Sequence, residues 1–152
     1  MNETVSQPAD RRSAPRSDSV LLPPDERDAM HVALRSIVEG TVTATGTEFF
    51  HALVRELAQA LNVRHAFVSE LLESKTRVRT LAFWFGDKPV ENIEFDLDGS
   101  PCEIVIRGET VYYTNKVYEM FPQHPELKEL GIESYFGVPL VSESGNEMMG
   151  HL

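Results

Sequence analysis

Apolar residues recur at helical spacing in two stretches near the start of the chain. Between Asp25 and Gly40 the recurring positions are Met30, Ala33, Leu34 and Ile37. The second stretch lies between Thr45 and Asn62, and its broader stripe comprises Phe49, Phe50, Leu53, Val54, Leu57, Ala58 and Leu61. Thr45 and Glu48 have the spacing of a capping box. The pattern predicts two amphipathic helices, the first over residues 25–40 and the second ending at Asn62.

The periodicity then changes to that of strands. Residues 65–72 and 78–85 are rich in Val, Leu, Phe and Trp, and they flank a polar break at 73–77 that suits a hairpin. Residues 86–89 contain Gly and Pro and predict a turn. Apolar residues at 93, 95 and 97 then alternate with polar ones, which is typical of a strand with one solvated face.

The second half of the chain mixes short helices and strands. Ser100 and Pro101 suit the start of a helix that runs through Arg107. The segments that follow are predicted as a strand at 110–115, two short helical turns within 116–131, a strand at 135–141, a hairpin loop at 142–146 and a partner strand from 147. This order favours one α+β domain around an antiparallel sheet.

The first 24 residues are rich in Pro and Ser and contain almost no apolar residue before Val20, so we expect a disordered tail. The expected organisation is therefore a tail at 1–24, an amphipathic linker helix at 25–40 and one domain at 41–152. The linker helix either packs on its own domain or pairs with a second copy through residues 26–38, and its short pattern leaves both open.

Charge and composition exclude several classes of function and binding partner. The 152 residues carry 14 Lys and Arg against 24 Asp and Glu, a formal charge of -10 that repels nucleic acid and anionic lipid surfaces. No apolar run is long enough for a membrane span, and no secretory signal is evident, so we expect a cytoplasmic protein. A single cysteine, Cys102, excludes an internal disulfide and a cysteine-based zinc site, and the five histidines lack metal-site spacing.

Two groups of residues suggest chemistry without establishing it. Cys102 lies near a predicted helix start, where a lowered pKa would make it an oxidant sensor, whereas the favoured interpretation is a small buried apolar residue. Asp96, Asp98 and Glu103 bring carboxylates together but have no nucleophile beside them. We therefore predict no catalytic residues and no metal ligands.

Five segments occur in an order that resembles the GAF domains of bacterial sensor kinases, diguanylate cyclases and related signalling proteins. They are Ala60-Leu61-Asn62, the strand Arg77 to Phe85, Gly99-Ser100-Pro101-Cys102-Glu103, Phe121-Pro122 with Leu127 and Leu130, and Ser134-Tyr135-Phe136-Gly137-Val138-Pro139-Leu140. Together they cover roughly residues 45–152.

The resemblance implies a GAF-like antiparallel sheet with helices on both faces, and it implies that the last strand and a closing helix are missing after Leu152. It also implies a non-catalytic sensory module without a cofactor, which binds an unidentified small molecule or a partner and signals to an output domain outside this chain. A pocket between one sheet face and the short helices would draw on Phe83, Phe85, Ser100, Cys102, Tyr113 and Tyr135.

Several GAF subclasses fit poorly. Asn115-Lys116 matches only the beginning of the cyclic-nucleotide signature, and Cys102 is followed by Glu103 where bilin-binding members commonly have His. The members that reduce free methionine sulfoxide use more than one cysteine. Two alternatives to a ligand sensor stay open: a structural domain that dimerises through residues 26–38, and a redox enzyme or sensor that depends on Cys102.

Overall fold

Two helices precede the first strand in the computed structural model, which describes residues 24–152. Helix α1 spans Pro24–Thr41 and helix α2 spans Thr47–Ala60. Both helices were predicted from the apolar periodicity, and α1 extends one residue beyond the prediction at each end. The predicted tail at 1–24 lies outside the described residues, apart from Pro24 at the start of α1.

The two ends of α2 are closed in different ways. At its C-terminal end Asn62 has a positive φ of 51°, and the N–H of Val63 donates to the carbonyl of Ala58 at 2.9 Å, as expected for a left-handed helix stop. At the other end the capping residue is Gly46, with φ 60° and no side-chain hydrogen bond. The predicted capping box of Thr45 and Glu48 is therefore wrong, because the helix begins after glycine and two residues later than Thr45.

An antiparallel sheet forms the centre of the domain. Its strands are β1 (His65–Leu71), β2 (Arg77–Phe85), β3 (Lys88–Val90), β4 (Glu94–Asp96), β7 (Pro139–Val141) and β8 (Met148–His151). The order is β3-β2-β1-β8-β7, with β4 paired to β2, and every pairing is antiparallel. Strands β5 (Val111–Tyr113) and β6 (Tyr135–Gly137) pair antiparallel in a separate two-stranded sheet. The predicted antiparallel architecture is confirmed.

Three short helices connect the later strands. Helix α3 spans Pro101–Ile106, α4 spans Val117–Met120 and α5 spans Pro125–Glu129. Helix α3 is capped as predicted, since the Ser100 side chain accepts a hydrogen bond from the N–H of Glu103 at 3.3 Å. The segment 116–131 contains the two short helices that its prolines predict.

The two sheet faces carry separate apolar clusters. On one face Val54 of α2 packs with Val68 and Ala82 of the sheet. On the other face Cys102 of α3 packs with Val78 and Leu97. Since alternate residues of β1 join different clusters, α2 and α3 lie on opposite faces, and the prediction of helices on both faces is confirmed.

Two strands differ from their predicted form. Lys88 and Pro89 were predicted as the end of a turn, but Lys88–Val90 pairs with the end of β2. Pro89 lies on a sheet edge, where its missing N–H costs no ladder bond. The predicted strand 135–141 divides at Val138 into β6 and β7, because its first half pairs with β5 and its second half with β8.

Helix α1 packs on α2, so it has a partner within its own chain. Ala33 and Ile37 are half-buried, whereas Leu34 and Val38 are 53% and 62% exposed. Contacts within the chain therefore cover Ala33 and Ile37 of the predicted apolar stripe in part, whereas Leu34 stays exposed to solvent. No helix within the described residues is both long and apolar enough to cross a bilayer.

Strand β8 approaches the centre of the sheet more closely than a side chain would permit. Gly150 pairs with Glu70 of β1 and with Leu140 of β7. A Cβ added at Gly150 would overlap the backbone carbonyl of Ser69. The pairing of β1 with β8 therefore requires glycine at position 150.

We expect Gly150→Ala to destabilise the protein by about 3 kcal/mol, because the backbone of β1 cannot give way as a flexible side chain does. The free energy of unfolding in urea measures this. Met149→Ala is the matched control, since Met149 is the neighbouring residue and is 56% exposed. Equal stability of the two variants would contradict the close approach of β8 to β1.

Candidate functional site

The candidate site lies on the sheet face that α3 covers. Strands β1 and β2 contribute Phe67, Leu71 and Val78, while Leu97 follows β4. Helix α3 contributes Cys102 and Ile106, and Tyr135 reaches the cluster from β6. These side chains are all uncharged, so the space between α3 and the sheet favours apolar and neutral groups.

A buried polar pair lies on the same face. The Nδ1 atom of His151 is 2.7 Å from the Oγ atom of Ser69, and Phe67 meets the imidazole edge to face with 5.2 Å between ring centroids. Both polar residues are buried, at 0% exposure for His151 and 2% for Ser69. The Ser69 hydroxyl also accepts from the backbone N–H of His151 at 3.3 Å. The pair thus joins β1 to β8 through side chain and backbone.

The Nε2 atom of His151 is left without a hydrogen-bonding partner among the described residues. If Ser69 donates to Nδ1, Nε2 carries the proton; if Nδ1 donates to Ser69, Nε2 presents a lone pair. Either tautomer leaves one buried nitrogen unpaired, at a cost of about 1–3 kcal/mol. Burial also lowers the pKa of His151 to about 4, so the ring is neutral at physiological pH.

Cys102 and Tyr135 form the second polar contact of the site. The Tyr135 hydroxyl donates to the Cys102 Sγ atom at 3.4 Å. Burial raises the pKa of Cys102 to about 11, and the hydrogen bonds from Tyr135 and Ser100 offset it only in part. Burial likewise raises the pKa of Tyr135 far above its usual range. The thiol is therefore protonated at neutral pH, and the interpretation of Cys102 as a buried apolar residue is confirmed.

Aromatic rings connect the buried pair to the surface. The Phe67 ring lies 5.9 Å from Phe83 and 5.9 Å from Phe95, in both cases edge to face. Phe83 also lines a surface depression of about 740 Å³ together with Val90 and Ile93. Its remaining lining residues are Lys88, Pro89 and Glu91. A continuous aromatic path thus runs from this depression through Phe67 to His151.

The structure separates the six residues predicted to line a pocket. Cys102 and Tyr135 are in contact, and Ser100 caps α3 beside them while donating to the carbonyl of Leu97 at 2.7 Å. Phe83 packs on Phe67, as described above. The other two lie elsewhere: Phe85 packs against His65, 4.5 Å between centroids, and Tyr113 packs against Phe121 at 5.6 Å. The assignment of these six to a ligand pocket stays a prediction.

Sequence reasoning missed Phe67, Ser69 and His151. His151 was grouped with histidines of no particular role, because nothing in a terminal run of six residues indicates that its imidazole is buried. The available signal was its place in the strand predicted from residue 147, one position after a glycine. That signal becomes informative only when the pairing with β1 is known.

Comparison with known families identifies the fold. The profile of the GAF domain family matches residues 45–152, and the chain belongs to this family. Two solved structures share the fold. The GAF domain from an Acinetobacter phosphoenolpyruvate-protein phosphotransferase is 19% identical, with a TM-score of 0.56, over 86% of this chain and 75% of that chain. The nlh2 GAF domain of A. aeolicus in an inactive state is 15% identical, with a TM-score of 0.59, over 83% and 78%.

A search of curated protein sequences finds no match. The two structural relatives therefore show the fold alone, and the role of each side chain has to be argued from this chain.

The state of Cys102 gives a direct test of the site. We expect its thiol to react with a maleimide or a disulfide reagent at least about 100-fold more slowly in the native protein than in urea, because it is buried and protonated. The rate of thiol labelling at neutral pH measures this. Rapid stoichiometric labelling of the native protein would contradict the buried, protonated state of Cys102 and would favour a redox role for this residue.

Proposed function

We propose that this chain is a sensory module that binds a small, uncharged and largely apolar molecule on the sheet face covered by α3. The observation that carries the proposal is the unpaired Nε2 atom of His151, buried on a face whose apolar cluster has no charged member. A ligand with one hydrogen-bonding group would pair with that nitrogen and so remove the free-energy cost of burying it without a partner. Phe67 beside it offers a ring against which a planar ligand packs.

The route of entry in this proposal is the depression beside Phe83. A molecule that enters there displaces aromatic contacts between Phe83 and Phe67 before it reaches His151. Such a displacement changes the packing of β1, which is shared by the two sheet faces. Helix α2 packs on β1 and β2, and α1 packs on α2. A change in the packing of β1 therefore alters the positions of both helices. Signalling then consists of a shift in helix packing that is passed to an output domain outside this chain.

The proposal assigns no catalysis to this module. Its single thiol is protonated at neutral pH and hydrogen-bonded to Tyr135. A nucleophile would need a neighbouring base that accepts its proton, and the Tyr135 hydroxyl is a donor in this contact. We place the module in the cytoplasm as part of a bacterial signalling protein, in line with its lone cysteine and its acidic charge.

A thermal-shift screen against neutral metabolites, followed by titration calorimetry, tests the proposal. We expect at least one compound to raise the melting temperature of the 152-residue chain, since a ligand stabilises the state that it binds. His151→Leu fills similar space without the free nitrogen and is expected to weaken binding about tenfold or more. His51→Leu is the control, because His51 is exposed on α2. A complete screen without a binder, or a binder indifferent to His151→Leu, would contradict the proposal.

A second candidate function is dimerisation through residues 26–38. Leu34 and Val38 lie four residues apart on α1, and they are more than half exposed although α1 already packs on α2. Neighbouring Val42 is 73% exposed. A second copy of α1 would cover these side chains and would place two modules side by side, as a signalling protein with paired output domains requires.

Light scattering at several concentrations tests the dimer. We expect the double substitution Leu34→Glu and Val38→Glu to convert a dimer into a monomer without loss of the folded domain, because both side chains are exposed within one chain. Arg35→Glu with Glu39→Arg reverses the exposed pair on the same helix and serves as the control. A wild-type protein that stays monomeric at high concentration would exclude this function.

A further inference from the structure

The loop that leads into α3 is held from outside by the connection between α4 and α5. The Gln123 Nε2 atom donates to the carbonyl of Gly99 at 2.5 Å. The next residue, His124, places its Nε2 atom 2.9 Å from the carbonyl oxygen of Asp98. Two consecutive side chains thus bind two consecutive carbonyls, and the start of α3 is fixed to a segment 24 to 26 residues further along the chain.

His124 differs from Gln123 because its ring is held at both nitrogens. Its Nδ1 atom lies 2.7 Å from the Oε1 atom of Glu126, in the first turn of α5. Both partners of the ring, a carboxylate and a backbone carbonyl, are acceptors only. A neutral imidazole has one N–H and can satisfy one of them, whereas an imidazolium has two and satisfies both. The geometry therefore fits the protonated ring.

The charged groups around His124 favour the same form. Asp98 approaches from the loop before α3 and Glu126 from α5, and the depression beside the ring is lined by Tyr118, Glu119, Lys128 and Glu129. Burial alone would lower the pKa of His124, but the hydrogen bonds to Glu126 and the Asp98 carbonyl and the charges of both acids outweigh it, so the pKa is raised. Although burial opposes it, the hydrogen bond from His124 lowers the pKa of Glu126. The side chain of His124 is 15% exposed, so protons reach it.

We propose that His124 is a proton-operated latch on α3. The protonated ring ties the Asp98 carbonyl to the first turn of α5, and loss of the proton breaks one of the two contacts. Gln123 holds the Gly99 carbonyl in both states, so the latch loosens the loop without releasing it. Loosening of this loop also loosens α3, because the N–H of Gly99 donates a hydrogen bond to the carboxylate of Glu103, in the first turn of α3, at 2.9 Å.

The direction of the effect follows from the raised pKa. A group that binds its proton more tightly in the folded protein stabilises it at low pH, below the ordinary imidazole pKa of about 6.5. That stabilisation is lost as the pH rises through the folded pKa of His124. The latch is therefore closed under mildly acidic conditions and open under alkaline ones. It acts on the mobility of α3 and is independent of the ligand proposed above.

Two measurements on the full chain test the latch. The first is an NMR titration of the His124 ring between about pH 5 and about pH 9. The second is hydrogen exchange at the backbone amides of residues 98–100, 102 and 103, corrected for the intrinsic pH dependence of exchange. We expect the protection of these amides to fall about fivefold or more as His124 loses its proton, in a step with the same midpoint as the ring titration.

Variants separate the latch from a general loosening of the domain. Glu126→Gln removes the carboxylate and is expected to move both midpoints to lower pH together, and it should fold because Glu126 is 55% exposed. His124→Gln should abolish the step. Gln123→Ala should lower protection at every pH without moving the midpoint, and His51→Gln should change nothing. Protection of residues 98–100, 102 and 103 that does not respond to pH, or a step that survives in His124→Gln, would overturn the proposal.

Discussion

The insertion of β8 between β1 and β7 is the constraint on which the rest of the domain depends. Strand β8 reaches its place only because Gly150 lets its backbone lie against the carbonyl of Ser69. Through β8 the sheet is joined to β7, and through the continuation of β7 into β6 to the two-stranded sheet that carries Tyr135. Without this pairing, β1 and β2 with α2 would be separated from the second half of the domain, and α3 would have no complete surface to cover.

The same pairing also buries a polar atom without a hydrogen-bonding partner among the described residues, the Nε2 atom of His151. Ser69 and His151 are 82 positions apart in sequence, and the contact between strands buries both. An apolar residue at position 151 would avoid the unpaired nitrogen, so His151 is not explained by stability alone. Buried unpaired groups of this kind concentrate at functional sites, where a ligand or a conformational change supplies the missing partner. The unpaired nitrogen of His151, with the ring of Phe67 beside it, is therefore the physical basis of the proposed ligand position.

The local elements of this fold could be predicted from the sequence, but the composition of the site could not. Helix α2 and the hairpin of β1 and β2 follow from periodicity, and α3 follows from Ser100 and Pro101. Which half of each strand faces α3 depends on long-range pairing and on a β-bulge in the pairing of β1 with β2 next to Val68 and Ser69, where the register shifts. Sheet aromatics such as Phe85 and Tyr113 could therefore be recognised as strand residues but not assigned to one site.

Two features of the sequence were outweighed by contacts that only the folded chain makes. The helix N-terminus at Cys102 would favour a thiolate, yet burial among Val78, Leu97 and Tyr135 dominates and keeps the thiol protonated. Pro89 indicates a turn locally, yet the exposed edge beside β2 accepts it as a strand residue. In both cases the local preference amounts to a fraction of a kcal/mol to about 1 kcal/mol, and the tertiary surroundings contribute more.

The two histidines with the clearest roles respond to protons in opposite directions. Burial lowers the pKa of His151 to about 4, so the unfolded chain binds that proton more tightly and stability falls as the pH drops from about 6.5 toward 4. The raised pKa of His124 gives stability that is lost as the pH rises. His151 lies inside the sheet, whereas His124 contacts the loop before α3. Acid therefore destabilises the core first, and alkali first loosens the helix that covers it. Because the pKa of His151 is lowered and that of His124 is raised, a rise in pH from neutral leaves the core intact and loosens only the loop before α3.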